Sequence, residues 1–334
     1  MRKKAFSLLS GGLDSLLATR LVMAQGIEVI GLHFITPFFG YDGKGREADY
    51  AENMRRNYGI EARVIDVGEE YFQILRHPRY GYGKNFNPCV DCKVFLFSRA
   101  RRVLEEEKAD FLVTGEVLGQ RPMSQRRDTL RIVERDSGTE GLLLRPLSAR
   151  NLNPTQPEIL GIVDREKLLG LKGRGRKPQI KLAEEFGIRN YPAPAGGCVL
   201  TDPILAKRIR SHFTSHPAVT VNEVLLLQLG RQFLLGDRDW FILGRNEEEN
   251  SKLEGLGREG DFFLKMEGIP GPLGVLRGKG TPDQIRQAAA ILVRYSKAKK
   301  EETAGVVWGP GPEDLPGHLT VRPAREEEVA PLRF

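Results

Sequence analysis

Ala5-Phe6-Ser7-Leu8-Leu9-Ser10-Gly11-Gly12-Leu13-Asp14-Ser15-Leu16-Leu17-Ala18-Thr19 is the stretch that decides the fold. Ala5 to Leu9 reads as a buried strand, two glycines make a turn, and Leu13 to Ala24 carries the apolar spacing of a helix. A helix that starts in such a turn aims its free N–H groups into it, and Gly11 and Gly12 let an anion approach the backbone without meeting a Cβ. Ser10 and Ser15 add hydroxyl donors. Asp14 is the odd residue, because a carboxylate beside phosphates is repelled unless a cation intervenes; it therefore reads as a magnesium holder. The plainer alternative is a capped helix after a glycine turn.

Outward from this stretch the alternation continues. Glu28 to Phe34 reads as a strand, Glu47 to Tyr58 as a helix, Ala62 to Val67 as a strand, Cys92 to Lys108 as a helix, and Ala109 to Thr114 as a further buried strand. The pattern predicts an α/β fold, a parallel sheet with helices on both faces and its anion site at the strand C-termini. Asn151 to Ile188 reads as helical and basic, gathering Lys172, Arg174, Arg176, Lys177 and Lys181. Tyr191 to Gly197, rich in proline and glycine, reads as a rigid loop that carries Cys198. Beyond Pro203 a helical lead-in precedes short β pieces at 240–243, 262–265 and 274–277, then a helix from Thr281 to Lys299; the chain from about Pro310 reads as loose. The expected organisation is a first domain over 1–204, a connector over 205–224, and a smaller α+β domain over 225–334.

With 334 residues, 40% of them hydrophobic and 28% charged, the chain has the composition of a soluble globular protein. No apolar run is long enough for a membrane span and none forms a leader, so a cytoplasmic location without membrane association is expected. A net charge of +7 suits a polyanionic partner. The cysteines number three, an odd count that makes no disulfide framework.

Ser10 to Ser15 resembles the S-G-G-x-D-S signature of the PP-loop ATP pyrophosphatase superfamily, which implies the adenine nucleotide alpha hydrolase-like (Rossmann-like) fold and ATP cleavage between the α- and β-phosphates. Thr114-Gly115-Glu116-Val117-Leu118-Gly119-Gln120, Ser124-Gln125 and Leu144-Arg145-Pro146-Leu147 resemble the T-G-E-x-L-G-Q, S-Q and L-R-P-L segments of tRNA 4-thiouridine synthases, and the likeness covers about residues 5–205. It implies that ATP and Mg2+ are cofactors and that ATP lies on Ser10, Gly11, Gly12, Asp14 and Ser15. It also implies that His33, Phe34 and Gly115 flank adenine and ribose, with Gln125 near the nucleotide. Otherwise His33 is a satisfied histidine at a sheet end and Gly115 a turn glycine. Those synthases carry an RNA-binding THUMP region before the PP-loop, and some carry a rhodanese domain. Here the loop starts at residue 10, so tRNA recognition and sulfur delivery are expected to differ.

Asn87-Pro88-Cys89-Val90-Asp91-Cys92-Lys93 sets two thiols at a helix start, where the dipole and Lys93 are expected to favour thiolate. N-P-C-x-x-C is similar to a segment of tRNA 2-thiouridine synthases that bears a catalytic cysteine. Gly197-Cys198-Val199-Leu200-Thr201-Asp202-Pro203 is similar to the segment that supplies the third ligand in cluster-bearing PP-loop thiolases. These resemblances imply catalytic roles for Asp14, Cys89, Cys92 and Cys198 and a [4Fe-4S] cluster on the cysteines. A persulfide on Cys198 and a structural zinc ion are the alternatives. Gly244-Arg245-Asn246 with Asn250 and Leu253, Asp261 to Pro272, and Tyr295-Ser296-Lys297-Ala298 resemble the RNA-binding NFACT-R module, with Lys265 for its histidine and Pro272 for its serine. Arg245, Lys265, Arg277, Lys297 and Lys299 are then candidates to meet phosphates. The implied function is ATP-dependent thiolation of a tRNA uridine, 4-thiouridine ahead of 2-thiouridine, with tRNA and a sulfur donor (sulfide or a cysteine desulfurase) as partners. A PP-loop synthetase for a small acid or amide and a non-catalytic RNA-binding protein are the rivals. The sequence gives no reading of oligomeric state.

Overall fold

The computed structural model describes residues 3–193, 198–236 and 239–334. Two compact units divide after Phe213.

In the first unit β1 (Lys4–Leu8), β2 (Glu28–Ile35), β3 (Glu61–Asp66), β4 (Phe111–Thr114) and β5 (Leu143–Leu144) pair in parallel in the order β3-β2-β1-β4-β5. The helices are α1 (Leu13–Met23), α2 (Glu47–Tyr58), α3 (Gly68–Arg76), α4 (Cys89–Glu106), α5 (Arg127–Ser137), the single turn α6 (Gln156–Ile159), α7 (Lys177–Glu185) and α8 (Pro203–Ser215), the last crossing the division. Strand alternation sorts the core. Ala5, Val29, Phe111 and Val113 pack with Leu16, Leu17 and Ala183 on one face, whereas Phe6, Leu32, Phe34 and Leu112 pack with Phe97, Ala100 and Leu104 on the other. β1 lies between β2 and β4, so the chain winds away from it in both directions. The crevice where ligands bind in such sheets therefore opens at the C-terminal ends of β1 and β4.

One expectation fails in this unit. Between Asn151 and Ile188 only α7 exceeds a single helical turn. Pro154 and Pro157 withhold backbone donors, and Gly161 and Gly173 adopt φ of 64° and 80°, which no helix accepts.

The second unit is an antiparallel six-stranded sheet, β6 (Arg231–Leu234), β7 (Trp240–Leu243), β8 (Asp261–Met266), β9 (Gly274–Arg277), β10 (Ala304–Gly309) and β11 (Gly317–Val321), ordered β11-β10-β8-β9-β7-β6. Its helices are α9 (Val221–Leu227), α10 (Glu247–Leu256), α11 (Pro282–Arg294) and the short α12 (Glu326–Val329). Thr281 caps α11, and the helix ends before Lys299 where Ser296 Oγ turns back to the Val293 carbonyl at 2.8 Å. The tail after Pro310 is not loose: β11 pairs with β10, Val329 is buried, and the Phe334 N–H reaches the Gln232 carbonyl at 3.1 Å.

Arg277 is buried and forks onto Asp261, Nε to Oδ1 at 2.8 Å and Nη2 to Oδ2 at 2.7 Å, with Nη1 on Asn222 Oδ1 at 2.8 Å. Removing one partner leaves a buried charge. Arg277→Ala is expected to destabilise this unit by about 3–5 kcal/mol in urea denaturation followed by tryptophan fluorescence, and Arg277→Met with Asp261→Leu by much less.

Candidate nucleotide and thiol site

The crevice at the ends of β1 and β4 is a cavity of about 380 Å³, lined by Ser10, Asp14, Ser15, His33, Phe34, Gly115 and Gln125 together with Cys92, Lys93, Glu116, Gln120 and Arg121. Seven of the nine candidate nucleotide residues thus share one wall, and Gly11 and Gly12 form the turn beside it, Gly11 at φ +74°. The Ser15 hydroxyl closes the turn by donating to the Gly12 carbonyl at 2.7 Å.

Asp14 accepts from Gln120 Nε2 at 3.0 Å through Oδ2, while Oδ1 is buried with no hydrogen-bond partner. A buried carboxylate oxygen without a donor is costly unless something fills its place, and a hard cation would do so. The donor set therefore fits magnesium. Gln125 Oε1 is likewise buried and unpartnered. His33 stacks on Tyr50 with ring centroids 4.3 Å apart and places Nδ1 2.9 Å from the Leu9 carbonyl. Burial lowers its pKa, against the Leu9 contact, so the ring is neutral at pH 7 and Nδ1 is the donor. Gly115 has a packing reason as well: a Cβ there would lie 2.5 Å from the Asp14 carbonyl carbon and the Ser15 nitrogen. Its bareness lets β4 end against the first turn of α1, and the same residue lines the cavity.

Glu116, Arg145 and Gln120 were visible in the motifs, but their work was not. Arg145 donates Nε to Glu116 Oε2 at 2.9 Å and pairs also with Glu134, and Lys93 pairs with Glu116 from the cavity side. Burial would raise the Glu116 pKa, but Lys93 and Arg145 outweigh it and hold the carboxylate below its usual range.

The segment that follows Cys198 and the loop before Cys89 are joined by a hydrogen-bonded clasp. Asn85 Nδ2 donates to the Thr201 carbonyl at 2.7 Å, the Phe86 N–H to the Leu200 carbonyl at 3.3 Å, and Thr201 Oγ1 to the Cys198 carbonyl at 2.6 Å. The segment after Cys198 is thereby laid against the loop before Cys89. Of the loop expected to carry Cys198, residues 194–197 lie outside the described residues. The three thiols are free; at Cys92 and Cys198 burial raises the pKa and the charge of a neighbouring thiol adds to it. Among the described residues no three His, Cys, Asp or Glu stand close enough to hold one metal ion.

The thiolate expectation is reversed at Cys92. The thiol shows part of its surface to the cavity, yet protein crowds it, and burial pushes its pKa up to about 12; the Tyr71 hydroxyl opposes this and Lys93 does so least. Lys93 spends its charge on Glu116 instead. Burial raises Cys198 too. Tyr71, fully buried on α3, went unnoticed because its signal lies in a helix too short to stand out.

Lys172, Arg174, Lys177 and Lys181 are exposed and Arg176 is half-buried. None of the five has an ion pair among the described residues. The start of this basic segment is stitched to the cavity's rim: Leu118 bridges Lys172, and the Gly173 N–H donates to the Leu118 carbonyl at 2.8 Å. In the second unit the candidate phosphate contacts divide. Arg277 is buried on Asp261, Arg245 is held by Glu249, and Lys265 lies between Glu254 and Glu313, so three of the five are already neutralised. Lys297 and Lys299 are exposed. Asn246 caps α10 through the Glu249 N–H at 2.9 Å, and Asn250 Oδ1 accepts from the Leu273 N–H at 3.0 Å, so the asparagines of the G-R-N…N pattern hold the fold. The described residues contain no helix long and apolar enough to cross a membrane.

A thiol whose pKa lies near 12 is protonated at neutral pH, and only its thiolate alkylates. In metal-free protein, iodoacetamide labelling of Cys92 at pH 8 is expected to be at least about tenfold slower than in a denatured control, the gap narrowing as pH rises past 9. Peptide mass spectrometry reads both.

Residues 1–153 match the family model described as thiamine biosynthesis protein (ThiI), and residues 230–333 match the NFACT protein RNA binding domain. The tRNA-specific 2-thiouridylase MnmA of Syntrophotalea carbinolica is 38% identical over 114 residues, covering 32% of this chain and 32% of that protein. A probable tRNA sulfurtransferase of Methanothermobacter thermautotrophicus is 34% identical over 119 residues, 35% of this chain and 30% of that protein. The chain spans about a third of the length of these curated relatives. The solved U34-tRNA thiolase NcsA from Methanococcus maripaludis, with its 4Fe-4S cluster, superposes at a TM-score of 0.34 with 20% identity over 68% of this chain and 71% of that one. So loose a superposition carries no argument about the site. The chain joins a segment matching the ThiI family model to one matching the NFACT RNA-binding domain.

Proposed function

We propose that the chain is an ATP-dependent tRNA sulfurtransferase of the cytoplasm. The observation that carries this reading is the single cavity in which the glycine-turn residues Ser10, Asp14 and Ser15 meet Cys92. A nucleotide activator and a sulfur handler must act on the same carbonyl, so they must share a pocket.

In the proposed reaction the uridine carbonyl oxygen attacks the α-phosphate of ATP and pyrophosphate departs. Sulfide then adds to the activated carbon, and AMP leaves with the original oxygen; no electrons change hands. The turn N–H groups and the Ser10 and Ser15 hydroxyls would bind phosphate, and the neutral His33 and its Tyr50 stack would wall the base side. Asp14 would hold magnesium, which when bound neutralises charge on the departing pyrophosphate. Cys89, Cys92 and Cys198 would hold a four-iron cluster, which when bound supplies an iron able to carry sulfide. The exposed cations of residues 172–181 would track the tRNA backbone, with the second unit as a further RNA contact. The Thr114 to Gln125 motif favours 4-thiouridine. The second reading is 2-thiouridine, favoured by Asn87-Pro88-Cys89-Val90-Asp91-Cys92 and by the likeness to a 2-thiouridylase.

Unmodified tRNA with ATP and sulfide under anaerobic conditions should yield AMP, pyrophosphate and a thiolated uridine, and nucleoside mass spectrometry separates the two products. Asp14→Ala should lower pyrophosphate formation at least about a hundredfold with the fold retained, since it removes a transition-state contact and no core group. Wild-type turnover in that variant would refute the role given to Asp14. Anaerobically reconstituted protein should carry about four irons per chain and lose them when any of Cys89, Cys92 or Cys198 becomes alanine. Iron-free protein fully active with sulfide would overturn the cluster.

A further inference from the structure

We infer that Gln120 couples occupancy of the basic segment to the setting of Asp14, so that a polyanion bound on residues 172–181 tightens the cation site of the nucleotide turn. The inference rests on the proposed reaction and adds a link between its two substrates.

Gln120 is the only described side chain that bonds the Asp14 carboxylate, at 3.0 Å on Oδ2, and the other oxygen is left without a partner. The position of Gln120 is not set by α1. It is set by a short segment that the basic stretch holds from outside. The Leu118 N–H donates to Ser148 Oγ at 3.0 Å, and that hydroxyl donates to the Leu171 carbonyl at 2.8 Å. From the other side the Gly173 N–H donates to the Leu118 carbonyl at 2.8 Å, beside the Leu118–Lys172 bridge. Leu118 is thus held at its N–H by Ser148, whose hydroxyl reaches Leu171, and at its carbonyl by Gly173, which stands between Lys172 and Arg174.

Between Leu118 and Gln120 stands Gly119, at φ +74° and with its N–H on the Gln125 carbonyl at 2.7 Å. The left-handed turn reverses the chain and aims Gln120 back at α1. Only two peptide units separate the gripped residue from the amide that holds Asp14. A shift of the basic segment on binding RNA therefore reaches the carboxylate through hydrogen bonds and one tight turn, with no flexible linker to absorb it.

Because coupling between two ligands is reciprocal, it can be read by binding alone. Manganese(II) binding, followed by electron paramagnetic resonance in the presence of α,β-methylene ATP, should tighten about fivefold or more when unmodified tRNA transcript is added. tRNA binding should tighten by the same factor when manganese and the analogue are present. In Gln120→Leu both factors should fall to about one. Gln120→Met, which also lacks the donor, guards against an idiosyncratic effect of branching and should behave alike. A coupling factor that persists in both variants overturns the inference, as does a wild type that binds both ligands with no coupling. A wild type that binds neither manganese–nucleotide nor tRNA removes the proposed function and this inference with it. A merely structural role would lower both separate affinities and leave their ratio intact, which also counts against it.

Discussion

The close approach of β4 to the first turn of α1 is the constraint on which the rest of the site depends. It exists because Gly115 has no side chain: any Cβ would press within 2.5 Å of the Asp14 and Ser15 backbone. With that gap closed, the residues that follow β4 arrive at the mouth of the nucleotide turn. Glu116 faces Lys93, Gln120 bonds Asp14, and Gln125 enters the same cavity. Gly115 draws two backbone segments together and also lines the cavity that forms beside the contact.

Charge in this molecule divides into spent and unspent. Arg145, Glu116 and Glu134 are locked into a buried network, as are Arg277 and Asp261 in the second unit. Buried pairs of this kind contribute little net stability, but removing one partner is expensive, so they fix geometry. The cations of residues 172–181 are the opposite case: exposed except for the half-buried Arg176, without an ion pair among the described residues, and collected on one segment. Net charge alone did not distinguish these roles. Arg277 and Lys297 count equally toward +7, yet only the second meets solvent.

The thiols show the same dependence on surroundings. A helix start with a neighbouring lysine ordinarily lowers a cysteine pKa. At Cys92 burial dominates and the lysine is engaged elsewhere, so the sign reverses. A crowded, protonated thiol is poorly suited to act alone as a nucleophile.

The sequence by itself determined the alternation of strand and helix in the first unit and the place of the glycine turn after β1, and it grouped Ser10, Asp14, Ser15, His33, Phe34 and Gln125, which line one cavity. These are carried by local period and by short motifs, whose physics acts over a few residues. It missed α3 with its buried Tyr71, mistook the segment before α7 for helix, and read β11 as loose, since each of those is decided by distant partners or by punctuating glycines and prolines. Only the tertiary structure decided that the Cys198 segment is clasped to Asn85 and Phe86, that Glu116 is held by Arg145 and Lys93, that Arg277 is a core group, and that Gln120 holds Asp14. Those pairings join residues up to 116 positions apart. Burial and hydrogen-bond satisfaction are properties of the assembled chain, so no local pattern encodes them.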